Sequence, residues 1–258
     1  MPAPLIHVHG LCVERERAIL RDINWTMNPG EHWVILGANG SGKTSLLSVL
    51  TGYLMETRGS VSIAGATRGR DDWRELRKRV GLVSNVLNRM IEPDEPALSV
   101  VAGGREAKLN LCGRPLESER RTALALMRRT ECTRVALQPW RTLSQGERQR
   151  ILIARALHSG HSVLILDEPC AGLDPIARER FLKMLARIGT GTDAVPLVLV
   201  THHVEEITPL FTHVLMLCQG SVLASGPIGT TLNSGNLSKV FGEKICLKKI
   251  GGRYLLYT

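Results

Sequence analysis

The sequence predicts an α/β fold. A mostly parallel sheet is flanked by helices, preceded by an N-terminal antiparallel β subdomain and interrupted by a helical insertion. Three observations predict it. The glycine-rich stretch GANGSGKT, residues 37–44, lies between the apolar run Trp33-Val34-Ile35-Leu36 and the helix-like TSLLSVL. The segments SVLILD, PLVLVTH and HVLMLCQ are continuously apolar, as in parallel strands covered on both faces. Between about residues 93 and 160 strand signals vanish and helical periods take over, as in TALALMRRTE and GERQRILIARAL.

Taken in order, LIHVH and AILRDINWTMN alternate like strands, and Pro29-Gly30 turns the chain into EHWVIL. A helix follows the glycine loop. Gly59-Ser-Val-Ser-Ile and Val80-Gly-Leu-Val-Ser read as further strands. After the helical stretch, SVLILD is separated from PLVLVTH by the helix-like PIARERFLKMLARI. The expected organisation is one domain over 1–258, with roughly 1–92 and 161–258 forming the core and 93–160 the helical insertion.

Bulk properties narrow the function. At 43% hydrophobic and 4% aromatic residues, the chain is globular with an aliphatic core. No apolar run approaches the roughly 20 residues that cross a bilayer, and MPAPLIHVHG lacks the pattern of a secretion signal. The six cysteines, 12, 112, 132, 170, 218 and 246, contain no CxxC pair, which argues against a zinc site or a disulfide framework. They are expected as buried small hydrophobes in a reducing compartment. The formal charge of +9 suits a nucleic-acid or anionic-membrane neighbour, but its sources are spread over 68–79, 114–134 and 239–253.

The glycine loop carries the chemistry. Glycines let backbone N–H groups wrap an anion, and the helix that starts there turns its positive dipole end on the same charge. In this P-loop NTPase pattern, Lys43 reaches the β- and γ-phosphates and the Thr44 hydroxyl binds Mg²⁺. The aliphatic strand ending in Asp167-Glu168 delivers two carboxylates to the end of the sheet where ligands bind. Leu143-Ser-Gln-Gly-Glu147 precedes a long helix. By itself it reads as a capping turn, with Ser144 as N-cap and Glu147 three residues on.

Together these motifs resemble ATP-binding-cassette (ABC) ATPases over essentially the whole chain. The resemblance implies that Gly37, Ala38, Asn39, Gly40, Ser41, Gly42, Lys43, Thr44 and Ser45 bind nucleotide. It implies that Thr44, Asp167 and Asn85 lie at the Mg²⁺ site, that Glu168 is the catalytic glutamate and that His202 is the switch histidine. His203 takes no catalytic part. Ser144, Gln145, Gly146, Glu147 and Asp174 would meet the ATP of a second subunit, so a homodimer sandwiching ATP is expected. Phosphoryl transfer to water then rests on positioning and charge stabilisation.

Two departures stand out. Asn85 occupies the place where the family carries a glutamine near the Mg²⁺ shell. An aromatic that stacks on adenine is also missing, with Glu14 at the matching place. Trp25 and Trp33 read as core residues, and GTP is expected to compete better than usual. The implied job is the ATPase subunit of a transporter, cytoplasmic and peripheral at the inner membrane face, with the permease a separate polypeptide. VLASGPIGTTL followed by LSKVFG resembles importers of metal chelates, siderophores or molybdate, and the P-loop region also resembles photorepair-type ATPases. The alternative is a soluble ABC ATPase acting on nucleic acid in repair or at the ribosome.

Overall fold

The computed structural model describes residues 3–72, 79–106, 109–110, 115–191 and 193–258. Cys112, Arg114 and the basic residues at 73–78 lie outside them. The chain forms two compact units, residues 1–80 with 196–258, and residues 81–195.

The first unit contains the antiparallel sheet expected near the N-terminus. Its strands are β1 (Ile6–Glu14), β2 (Ala18–Met27), β4 (Arg58–Ile63) and β5 (Ala66–Thr67), in the order β2-β1-β4-β5. β1 buries Ile6 and Val8 and, past a bulge that shifts the alternation by one residue, Leu11 and Val13. Trp25 and Trp33 are both core residues at 2% and 3% exposure. They meet edge to face with ring centroids 5.6 Å apart.

The same unit holds β3 (Trp33–Leu36), β8 (Leu197–Thr201), β9 (His213–Cys218) and β10 (Ser221–Pro227), neighbours in the order β10-β9-β3-β8. β3 runs parallel to both β8 and β9, while β10 returns antiparallel to β9. Every residue of β3 and β8 is buried. That explains their unbroken aliphatic character: a parallel strand covered on both faces has no polar side. α1 (Lys43–Leu50) leaves the glycine loop after β3 and buries Leu46, Leu47, Val49 and Leu50. The C-terminus adds α7 (Ile228–Thr231), α8 (Ser234–Phe241) and a hairpin of β11 (Cys246–Ile250) and β12 (Arg253–Tyr257).

The second unit begins within β6 (Val80–Val83), a neighbour of β7 (Val163–Asp167). Between them come α2 (Asn85–Met90), α3 (Ala97–Ala102), α4 (Glu117–Arg129) and α5 (Gln145–His158), and α6 (Pro175–Ile188) follows β7. α4 starts with Glu117 and Glu119 and ends with Arg128 and Arg129, matching its dipole at both ends. α5 is the interior helix of the unit. It buries Ile151, Leu152, Ile153, Ala154 and Ala156. α6 starts at an Asp174 cap followed by Pro175, and buries Phe181, Leu182, Met184, Leu185 and Ile188.

Cys132 and Cys170 are buried as expected, but Cys246 is exposed on β11, and no disulfide joins the described cysteines. Burial pushes the Cys132 thiol up to about 11, against a smaller lowering by the Thr130 hydroxyl. It is an inert core thiol.

Candidate nucleotide site

The loop between β3 and α1 is held open by its glycines. Gly40 and Gly42 have φ of +76° and +105°, conformations that L side chains rarely adopt. At Gly37 the constraint is space: a Cβ there would lie 2.4 Å from Ser41 Oγ and 2.7 Å from the Leu217 carbonyl oxygen. The β1–β2 hairpin comes up against the same loop, since a Cβ on Gly42 would lie 2.8 Å from Leu20 Cδ2. Ser41 N–H donates to the Ala38 carbonyl (3.2 Å), and the Gly220 N–H donates to the Ser41 carbonyl (3.0 Å), so the turn after β9 braces the loop from outside.

Lys43, the first residue of α1, is only 6% exposed. Its Nζ donates to the carbonyls of Gly37 (2.8 Å) and Ala38 (3.0 Å). The ammonium thus lies inside the curl of the loop, against backbone oxygens that a triphosphate oxygen could replace. Thr44 is exposed on the first turn of α1, and Ser45 is half-buried. With Asn39 and Gly40 exposed at the loop's tip, the arrangement is a shallow cradle of N–H donors at a helix start. That is the geometry of an anion site. His202 follows β8 in this unit, its ring 4.1 Å from that of His203. His203 is tied to its surroundings through its N–H, which donates to Thr201 Oγ1 (3.0 Å), and its Nδ1, 3.4 Å from Glu205.

The second unit holds the remaining predicted residues. Asp167 is the last residue of β7, and Glu168 follows in the left-handed region at φ +47°. A non-glycine residue there costs about 1–3 kcal/mol, and such conformers gather at functional sites. The turn is closed by the Ala171 N–H on the Glu168 carbonyl and the Leu173 N–H on the Cys170 carbonyl, each 3.1 Å. Asp174 ends the turn as the N-cap of α6, its Oδ1 accepting from the N–H groups of Ile176 and Ala177 at 2.9 Å.

Ser144 caps α5. Its N–H and hydroxyl donate to Glu147 Oε2 at 3.0 and 2.7 Å, and the Glu147 N–H reaches back to Ser144 Oγ at 3.4 Å. The capping turn is therefore real and coexists with the family signature. It orients the N–H groups at Gln145 and Gly146 outward from the helix start. Burial raises the Glu147 pKa. The bonds from Ser144 and the nearby Arg134 outweigh that and hold it below its ordinary 4.5. The contribution to stability is therefore complete above that value and fades as pH falls through the lowered one. Wild type should exceed Glu147→Gln by roughly 0.3–1 kcal/mol at neutral pH. That margin should shrink below pH 4.5 in urea titrations.

Asn85 opens α2. Its Oδ1 accepts from Gln145 Nε2 (3.1 Å) and from Gln149 Nε2 (3.3 Å). Asn88, one turn on, donates to Gln145 Oε1 (3.3 Å). Asn88 and Gln149 carry no motif, and only the i,i+3 and i,i+4 spacing of like amides hints at them. For a divalent cation, the hydroxyl of Thr44 and the carboxylate of Asp167 are hard oxygen donors of the kind Mg²⁺ selects. The Asn85 oxygen already accepts two N–H donors, so it does not fit that donor set in the same way.

Comparison with known proteins agrees with this picture. The model of the ABC transporter family matches residues 20–171. The uncharacterized ABC transporter ATP-binding protein YlmA of Bacillus subtilis is 40% identical over 228 residues, covering 88% of this chain and 86% of its own length. The structure of cbiO1 from Clostridium perfringens, part of the ABC transporter complex cbiONQ, superposes with a TM-score of 0.76 at 25% identity, covering 94% of this chain and 92% of that one. The dimeric bacterial cassette MJ0796 gives a TM-score of 0.74 at 25% identity over 86% of this chain and 98% of its own.

Proposed function

This chain belongs to the ABC transporter family, and from that premise we propose that two copies of it close around two ATP molecules to drive a separate membrane permease. It is an ATP-binding subunit of an ABC transporter and an ATPase. The finer assignment is an importer of a metal chelate, siderophore or oxyanion. The observation that carries it is the C-terminal pattern VLASGPIGTTL followed by LSKVFG, which resembles ATPases of that import type. The near end-to-end match with cbiO1, part of the ABC transporter complex cbiONQ, supports the coarser role of one subunit in a multi-chain transporter.

In the proposed mechanism, N–H groups of residues 37–45 and the dipole of α1 bind the triphosphate. Lys43 exchanges the Gly37 and Ala38 carbonyls for β- and γ-phosphate oxygens. Thr44 and Asp167 would hold Mg²⁺, which neutralises charge on the phosphates. Glu168 takes a proton from the attacking water, and His202 contacts the γ-phosphate. Ser144 Oγ and the N–H groups at Gln145 and Gly146 meet the ATP of the second copy, with Glu147 holding Ser144 in place. Asp174 acts by capping α6 and fixing the turn from Glu168 onward. Water attacks the γ-phosphorus, the bond to the ADP oxygen breaks, and ADP and phosphate leave. ATP favours the closed dimer through its extra contacts there, and hydrolysis removes them.

The permease would dock on the second unit. Next to α2 lies a groove of about 680 Å³ with Arg89, Arg141 and Arg148 on its walls and Ile91, Pro93 and Trp140 among them. This lining fits a short amphipathic helix with acidic residues. Among the described residues no helix is long and apolar enough to cross a membrane; in this reading the pore belongs to a separate permease. Purification of the tagged protein from detergent-solubilised membranes tests this. A multi-span partner should co-purify and raise ATPase activity severalfold. Activation by nucleic acid, with no membrane partner recovered, would instead establish the soluble alternative.

A further inference from the structure

We infer that a ladder of four side-chain amides, Asn85 and Asn88 on α2 against Gln145 and Gln149 on α5, sets the position of the helix start that meets the second copy's ATP. The inference rests on the proposed trans contact of Ser144 and Gly146. Asn88 and Gln149 touch no nucleotide in that reading, so they are positioning residues.

The rungs share partners. Gln145 Nε2 and Gln149 Nε2 both donate to Asn85 Oδ1, at 3.1 and 3.3 Å. Asn88 Nδ2 donates to Gln145 Oε1 at 3.3 Å. The Gln145 amide is thus held at both its nitrogen and its oxygen, and it belongs to the first helical residue after the Ser144 cap. Backbone contacts extend the clamp. Trp140 Nε1 donates to the Asn88 carbonyl (3.1 Å), and Arg148 Nε donates to the Trp140 carbonyl (3.2 Å) with its guanidinium 5.6 Å from the indole centroid. Gln149 is fully buried.

Asn85, Asn88 and Gln145 are half-buried; amides withdrawn from water in this way stabilise little when an apolar side chain could fill the same space, but they favour one register of their partners. Here that register ties two elements far apart in sequence. The opposite side of α2 is unlike the ladder side. Val86 and Met90, spaced i,i+4, are 67% and 55% exposed, whereas the ladder side, with Asn85, Asn88 and Gln145, itself lines the groove assigned to the permease. A displacement of α2 by a partner seated there passes to Gln145 through Asn85 and Asn88, beside the Trp140 contact with the Asn88 carbonyl. It therefore shifts the N–H groups that follow Ser144. The ladder makes partner docking and the trans ATP contact a single two-position element, the physical requirement for coupling.

The experiment uses the Glu168→Gln protein as background, with ATP binding to the monomer and ATP-driven dimerisation measured separately by fluorescence titration and sedimentation. Asn88→Leu should leave monomer affinity for ATP within about twofold while weakening dimerisation roughly tenfold, the scale of one lost hydrogen bond. Gln149→Met should do the same, and it serves as the second variant if Asn88→Leu does not fold. The double variant should be weakened by less than the product of the two, because both act on one network. Unchanged dimerisation in either single variant, multiplicative effects in the double, or parallel loss of monomer binding would overturn the ladder. If the background protein itself stays monomeric with ATP, the reading of Ser144 falls first and takes the ladder with it.

Discussion

Replacing Glu168 by glutamine is expected to cut ATP turnover by roughly 10²–10⁴-fold, the range of a lost general base, while ATP still binds. Glutamine has nearly the same shape and can occupy the same turn after β7, where residue 168 sits at φ +47°. The turn is closed by its backbone through the Ala171 N–H, and the substitution leaves that bond in place. What changes is the charge that attracts a proton from water. Steady-state kinetics should therefore show a fall in kcat with little change in KM, the pattern of an interaction made only in the transition state. Retained turnover would remove Glu168 from the mechanism and leave its backbone strain without a functional reason.

The second large effect is on binding. Lys43→Ala should weaken ATP by about 2–5 kcal/mol, the loss for truncating one member of a buried charge pair. That is roughly 30-fold to several-thousand-fold in Kd, enough to abolish the nucleotide-dependent thermal shift at millimolar ATP. The substitution has a second consequence. Nζ holds the carbonyls of Gly37 and Ala38 at 2.8 and 3.0 Å, so its removal leaves two partly buried acceptors without their cation. The protein without nucleotide should lose stability as well, by about 1–3 kcal/mol. Lys43→Arg tests the geometry: it keeps the charge, but the planar guanidinium does not fit a curl built around a compact ammonium. Full nucleotide binding by Lys43→Ala would show that the loop's N–H groups alone hold the phosphates.

Much of this architecture is readable from short local patterns. Trp33-Val34-Ile35-Leu36 followed by the glycine loop identifies a strand, a cradle and a helix in one stretch, because the glycines permit backbone conformations other residues resist. Ser144 and Glu147 are legible as a cap three residues apart, and the structure forms both of its bonds. Asp174 is equally legible as a capping side chain directly before Pro175, a role compatible with the intersubunit contact that the family resemblance implies. The C-terminal hairpin turns at Gly251-Gly252, both at positive φ, and a glycine pair between two strand-like runs is a hairpin signal. The run CLKKI is too polar to stand out as a strand, which hid it. The amide ladder lay beyond reach for another reason. Asn85 and Gln145 are 60 residues apart, and nothing local in either segment says that two pairs of amides will meet. The departure at Asn85 was visible, but its consequence needed the fold. A side chain one methylene shorter than glutamine turns toward α5 and is satisfied there.

The central claim is that ATP is the glue between two copies, with the Ser144 helix start of one meeting the triphosphate held by Lys43 of the other. Sedimentation of the Glu168→Gln protein with saturating ATP and magnesium measures it directly. The account predicts a dimer that disperses when ATP is withdrawn. It also predicts that adding Ser144→Arg, which places a bulky side chain at the seam, leaves a monomer that still binds ATP. A Glu168→Gln protein that remains monomeric under those conditions, or a dimer indifferent to Ser144→Arg, would contradict it.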